Sequence, residues 1–222
     1  MQRISGFIIS VLLLLSVWCN AQDTIRYPIN EMKGIRIGFD VSKPLLPLMF
    51  NGERFGIEAT ADMHIKGNLF AIAEAGWLRV NLDRDDYHYW ENGMYGKAGV
   101  DYNLLKSRRP FSNDIVYAGG RYGFSVFSHQ ADRVTIPAHF WSEATDQNIP
   151  KNFMQAHWLE MLLGVKAEVL RNLYIGLTFR FKFLIVSPKD AYSTPYIIPG
   201  YGYGNEGFAL GLNYYISYNF HF

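Results

Sequence analysis

From about Gly34 to the end of the chain, apolar and polar residues alternate with period 2, the pattern of extended strands with one greasy and one polar face. Eight such segments stand out, at about 34–42, 54–63, 69–79, 95–104, 114–127, 154–168, 173–185 and 206–222. The last is the clearest. Phe208, Leu210, Leu212, Tyr214, Ile216, Tyr218, Phe220 and Phe222 share one face, and Gly207, Ala209, Gly211, Asn213, Tyr215, Ser217, Asn219 and His221 share the other. Several segments reach the roughly 9 to 11 residues with which a tilted strand crosses a bilayer. The connections alternate in kind. His64 to Asn68, Leu105 to Asn113 and Leu170 to Asn172 are the short set, and Lys43–Glu53, Val80–Met94, Ser128–Phe153 and Val186–Asn205 are the long set. This pattern predicts an all-β fold, an eight-stranded antiparallel transmembrane β-barrel in the outer membrane, with the long connections at the cell surface.

The chain begins differently. A basic Arg3, an apolar run from Ile4 to Trp18 and small residues before Gln22 read as a secretory signal peptide over 1–21, cleaved after Ala21. The rival reading, acylation at Cys19, is disfavoured by Trp18 beside it. A short periplasmic segment over 22–33 and the barrel over 34–222 complete the organisation. If Cys19 leaves with the signal, the mature chain has no cysteine, and no disulfide supports it.

Projecting the alternation inward places Arg36, Asp40, Arg54, Glu58, Asp62, Glu74, Lys97, Asp101, Arg121, Glu160, Lys166, Glu168, Arg180 and Lys182 in the lumen, seven of each sign. Eight strands enclose only enough room for side chains, where charges are costly unless paired. A closed, salt-bridged interior is therefore expected. The terminal aromatics Tyr218, Phe220 and Phe222 resemble the signal by which barrel-assembly machinery recognises its substrates.

Composition changes this picture little. The net charge of +1 excludes a nucleic-acid surface, and 15 Tyr, 16 Phe and 20 Gly suit strands and interfacial girdles. Asp83, Asp85, Asp86, His88 and Glu91 invite a calcium reading, but the sixth and twelfth positions from Asp83 are His88 and Met94, so no metal is expected. Ser128, His129 and Asp132 lie together, yet adjacent strand residues point to opposite faces, so no catalytic residue is assigned. His157 reads as a lipid-side rim residue. The run Pro195-Tyr196-Ile197-Ile198-Pro199-Gly200-Tyr201-Gly202 lacks the strand-to-helix setting of a phosphate loop and suggests a stiff loop over the mouth or a contact surface. Trp90, Trp141, Tyr196, Ile197, Ile198 and Tyr201 are the candidate binding residues.

His157-Trp158-Leu159-Glu160, Gly164 to Val169, Arg180-Phe181-Lys182, the Pro195–Gly202 run and Gly211 to Tyr218 together resemble a family of uncharacterised proteins of Bacteroidota. The resemblance implies a small outer-membrane barrel and brings neither a substrate nor catalytic residues. The expected role is structural or binding, through long outer loops, with no cofactor. Expected partners are outer-membrane lipid, the assembly machinery, and a surface or periplasmic protein or a glycan. A membrane-embedded lipid-modifying enzyme and a narrow gated channel are the alternatives.

Overall fold

The computed structural model describes residues 34–49, 51–84, 88–105, 114–136, 145–187 and 194–221. The signal and N-terminal segments, Trp141, Asp85, Asp86 and Phe222 lie outside that set. Among the described residues the strands are β1 (Ile35–Asp40), β2 (Arg54–Lys66), β3 (Leu69–Asp83), β4 (His88–Asn103), β5 (Ile115–Ile136), β6 (Thr145–Leu170), β7 (Leu173–Val186), β8 (Ile197–Ile198), β9 (Gly202–Tyr203) and β10 (Phe208–Phe220), with a one-turn helix α1 (Leu46–Met49) between β1 and β2. β1 to β7 and β10 close into an antiparallel barrel in the order β1-β10-β7-β6-β5-β4-β3-β2. β8 and β9 form a separate small hairpin.

The eight-stranded fold is as the alternation predicts; two of its long connections are not. Val80–Met94 and Ser128–Phe153 are mostly strand, since the β3–β4 ladder runs to Asp83 opposite His88 and the β5–β6 ladder to Ile136 opposite Thr145. The connections shrink to 84–87 and 137–144. The reason lies in the faces. Through most of β3 the outward residues are apolar, Leu69 to Trp77 at alternate positions, but then Arg79, Asn81 and Asp83 point out while Val80 and Leu82 point in and are buried. Alternation persists with its polarity inverted, so a template of greasy exterior and polar interior stops at Arg79.

At the end holding the termini, two tight turns use positive φ, at Gly67 (59°) and Asn172 (66°), where glycine and asparagine bear that conformation best. At the other end, the mouth, segment 194–207 folds its β8–β9 hairpin down into the barrel. The interior is therefore layered. Next to the termini Phe70, Ile115, Tyr117 and Leu162 pack together. Charged residues fill the middle, and above them Tyr95, Phe127, Trp158, Ile198 and Tyr201 form an apolar layer. The top layer is Val80, Leu82, Tyr89, Ala131 and Ile197.

Candidate functional site

The middle layer is one connected ion-pair cluster. Glu74, from β3, receives Lys97 Nζ at 2.8 Å, Arg180 Nη2 at 2.8 Å and Arg121 Nε at 3.5 Å. Glu58 takes Lys97 at 3.0 Å and the hydroxyls of Tyr95 (2.6 Å) and Tyr215 (2.5 Å). Glu160 accepts from Arg180 at 2.5 Å and from the Trp158 indole at 2.8 Å, and Arg121 continues to Asp101 at 2.7 Å. Nearer the termini Asp62 holds both Arg36 (3.1 Å) and Lys166 (2.7 Å). Almost every carboxylate here meets a cation or hydroxyl, the condition under which buried charge is tolerated. Asp40 sits apart, held by Ser42 and the Asn213 amide, and Glu168 is half-buried and caps the Asn172 amide at 2.7 Å.

The alternation locates these charges and puts Tyr215 on the same face, but it does not single out Tyr95, Tyr117 or Trp158 as their neighbours. Their signal in the sequence is the set of inward glycines. Tyr95, Trp158 and Tyr117 each lie across a register pair from Gly76, Gly123 and Gly164, and a Cβ on those glycines would come within 2.3, 2.1 and 2.5 Å of the ring opposite. A glycine facing an aromatic lets the ring lie flat on the strand, so each pair fills the lumen once.

The mouth is closed by the hairpin. Lys182 Nζ donates to the carbonyls of Gly200 (2.8 Å) and Tyr201 (2.9 Å). The Arg54 guanidinium, expected inside the lumen, sits between the rings of Tyr196 and Tyr203, 5.4 and 5.3 Å from their centroids, and donates to both hydroxyls. Of the candidate contact residues, Ile197, Ile198 and Tyr201 are buried in this plug, whereas Tyr196 is exposed at its rim.

Glu91 lies beneath the hairpin, above the apolar belt, in register with Val80 on β3 and His129 on β5. It is fully buried, accepts the Tyr89 hydroxyl at 2.5 Å, and its Oε1 has no hydrogen-bond partner among the described residues. Burial pushes its carboxyl up to about 8, against the opposing pull of the Tyr89 hydroxyl, the Ile197 amide and Arg54.

On the outer surface at the same height Trp77, Trp90, Met94, Ser128, Lys151 and Phe153 line a groove of about 280 Å³. Trp90, on β4 and not in a loop, stacks under Lys151 Nζ, 5.4 Å from its centroid. Ser128 faces this groove while His129 is buried inside the barrel, so the two do not form a nucleophile–base pair. Asp83 and His88 meet on the outside at 3.4 Å while Glu91 points inward, so those three do not converge on one ion. His157 is on the outer face and bonds the Tyr122 hydroxyl at 2.5 Å.

A family described as "Domain of unknown function (DUF6048)" matches residues 3–222. Comparison with curated proteins gives no match. Similar solved structures include a major outer membrane protein from Thermus thermophilus, 13% identical with a TM-score of 0.47, over 84% of this chain and 98% of that one. Neisserial surface protein A is 13% identical with a TM-score of 0.42, over 84% and 94%. Ail, the attachment invasion locus protein of Yersinia pestis, is 9% identical with a TM-score of 0.43, over 85% and 99%.

Proposed function

The chain belongs to the DUF6048 family, and we propose that it spans the outer membrane as a closed barrel and serves as a structural or binding protein through the connections at its mouth. One observation carries the reading: the two faces of the wall are sorted the wrong way round for water. Phe39, Met161, Phe179, Leu210 and Leu212 are all more than half exposed on the outside, while Glu58, Glu74, Glu160, Lys97, Arg121 and Arg180 are buried within. An apolar belt of this kind is stable only against lipid, and backbone groups in lipid are satisfied only by a closed ladder.

The interior supports a closed lumen over a channel. The cluster around Glu74 joins side chains from β2 to β7 across the bore, and the β8–β9 hairpin sits above it. Planar-bilayer recording of the folded protein is the test, and no sustained conductance is expected. Steady ion-selective openings that change with Glu74→Gln would refute the closed lumen. The binding role predicts that shortening 137–144, a connection between paired strands, preserves folding and removes a crosslinked partner from native membranes. Unchanged crosslinks would count against it.

A further inference from the structure

The barrel wall is not equally complete all the way round. β1 is the shortest barrel strand: it pairs with β10 only from Ile35 opposite Phe220 to Asp40 opposite Tyr215, and with β2 only from Ile35 opposite Met63 to Phe39 opposite Ala59. One further bond, from the Val41 amide to the Tyr214 carbonyl at 2.8 Å, ends the seam. Both neighbours continue past this point, β10 back to Phe208 and β2 back to Arg54, each paired only on its other side. Toward the mouth there is consequently a gap in the ladder, as tall as half a strand, between the free edges of β10 and β2. Residues 41–49, with α1, and 51–53 lie beside it in place of a strand.

A cavity of about 190 Å³ occupies this gap. Its inner wall carries Lys43, Arg54 and Lys182, and its outer wall carries Leu46, Leu210 and Leu212. Among the described residues no carboxylate lines it, although Glu58 lies within electrostatic reach of Lys43 and Glu91 within reach of Arg54. The nearest acid on β1, Asp40, is already held by Ser42 and Asn213. The leucines continue into the apolar exterior, where Leu210 is 70% exposed and Leu48, on α1 beside the gap, is 82% exposed. A one-turn helix with its leucine turned fully outward is stable beside acyl chains and not in water.

We propose that this lateral gap is a binding cleft for a phosphate-bearing lipid of the surrounding leaflet. The phosphate sits against Lys43 and the edge of the Arg54 guanidinium, which keeps its bonds to the Tyr196 and Tyr203 hydroxyls, and the proximal acyl chain leaves between Leu46 and Leu212 into the bilayer. Lys182, committed to two hairpin carbonyls, closes the back of the cleft. The cavity has room for a headgroup phosphate and a few methylenes, so the rest of the lipid stays in the membrane. Charge complementarity selects the occupant: Lys43 and Arg54, with no acid lining the cleft among the described residues, suit an anionic headgroup, and the leucine exit suits an acylated one. The inference rests on the membrane-spanning reading given above.

The test uses the folded chain in nanodiscs of phosphatidylcholine doped with phosphatidic acid, with retained lipid counted by native mass spectrometry. Phosphatidic acid should be retained selectively. Lys43→Gln and Arg54→Gln should each weaken that retention about tenfold, the loss expected for one charge-assisted contact. Gly211→Leu should weaken it without changing charge, since a Cβ there already meets Lys182 Cε at 3.1 Å and the added side chain fills the cleft. Lys66→Gln, at the opposite end, is the control for general surface attraction. Flotation with vesicles is scored separately. A chain that does not float overturns the membrane reading and the cleft together. A chain that floats yet holds phosphatidic acid no better than phosphatidylcholine, or loses it equally in Lys66→Gln, overturns the cleft alone.

Discussion

Glu91 offers a quantitative test of how the mouth is held shut. Its carboxyl is buried under Ile197 with its one hydroxyl partner, Tyr89, on its own strand, His129 facing it from β5 and Arg54 approaching from β2. With the hairpin in place its pKa is about 8; with the hairpin lifted and water admitted it returns to 4.5. The closed state therefore binds the proton more tightly. Closure is most stable below about pH 4.5, weakens as pH rises through the interval, and has lost the whole contribution above about pH 8. The change from 4.5 to about 8 corresponds to at most about 5 kcal/mol, of which about 3.5 kcal/mol is lost between pH 5 and pH 8. Amide exchange reads this directly. Protection factors at Tyr196 and Ile197, corrected for intrinsic exchange, should fall by up to about a thousandfold between pH 5 and pH 9. Glu91→Gln keeps the shape and removes the ionisation, so its protection should be flat over the same range. A flat wild-type profile, or an equal slope in Glu91→Gln, would refute the reasoning.

Two further perturbations probe the interior. Glu74→Gln leaves Lys97, Arg121 and Arg180 without their shared carboxylate and should destabilise the barrel by about 3 to 5 kcal/mol in urea unfolding from vesicles; a loss under about 1 kcal/mol would mean the cluster is not coupled. Gly123→Ala puts a Cβ 2.1 Å from the Trp158 ring and should cost about 1 to 3 kcal/mol and shift tryptophan emission, whereas Gly207→Ala, with open space around it, should change neither.

Much of the fold is legible in the sequence because a barrel wall is a local pattern. A residue's face follows from its parity within the strand, and that alone puts Arg36, Glu58, Lys97, Arg121 and Arg180 inside before any contact is known. Parity is blind to solvent, however. Above the belt the exterior meets water, so polar residues such as Arg79 and Asn81 turn out and Val80 and Leu82 turn in, and a template built for lipid reads those strand ends as loops. Trp90 moves from loop to strand for the same reason.

By itself, the sequence determined the eight strands of the wall, their antiparallel order and which face of each strand carries the charged side chains, because each depends on period-2 alternation along single segments. Only the tertiary structure decided which charges meet, that Gly76, Gly123 and Gly164 receive the rings opposite them, that 195–204 folds inward as a plug, and that β1 stops short and leaves a gap beside β10. Those features depend on register between strands and on how far each neighbour extends, and residues as distant as Arg54 and Tyr203 enter one contact only when the sheet closes on itself.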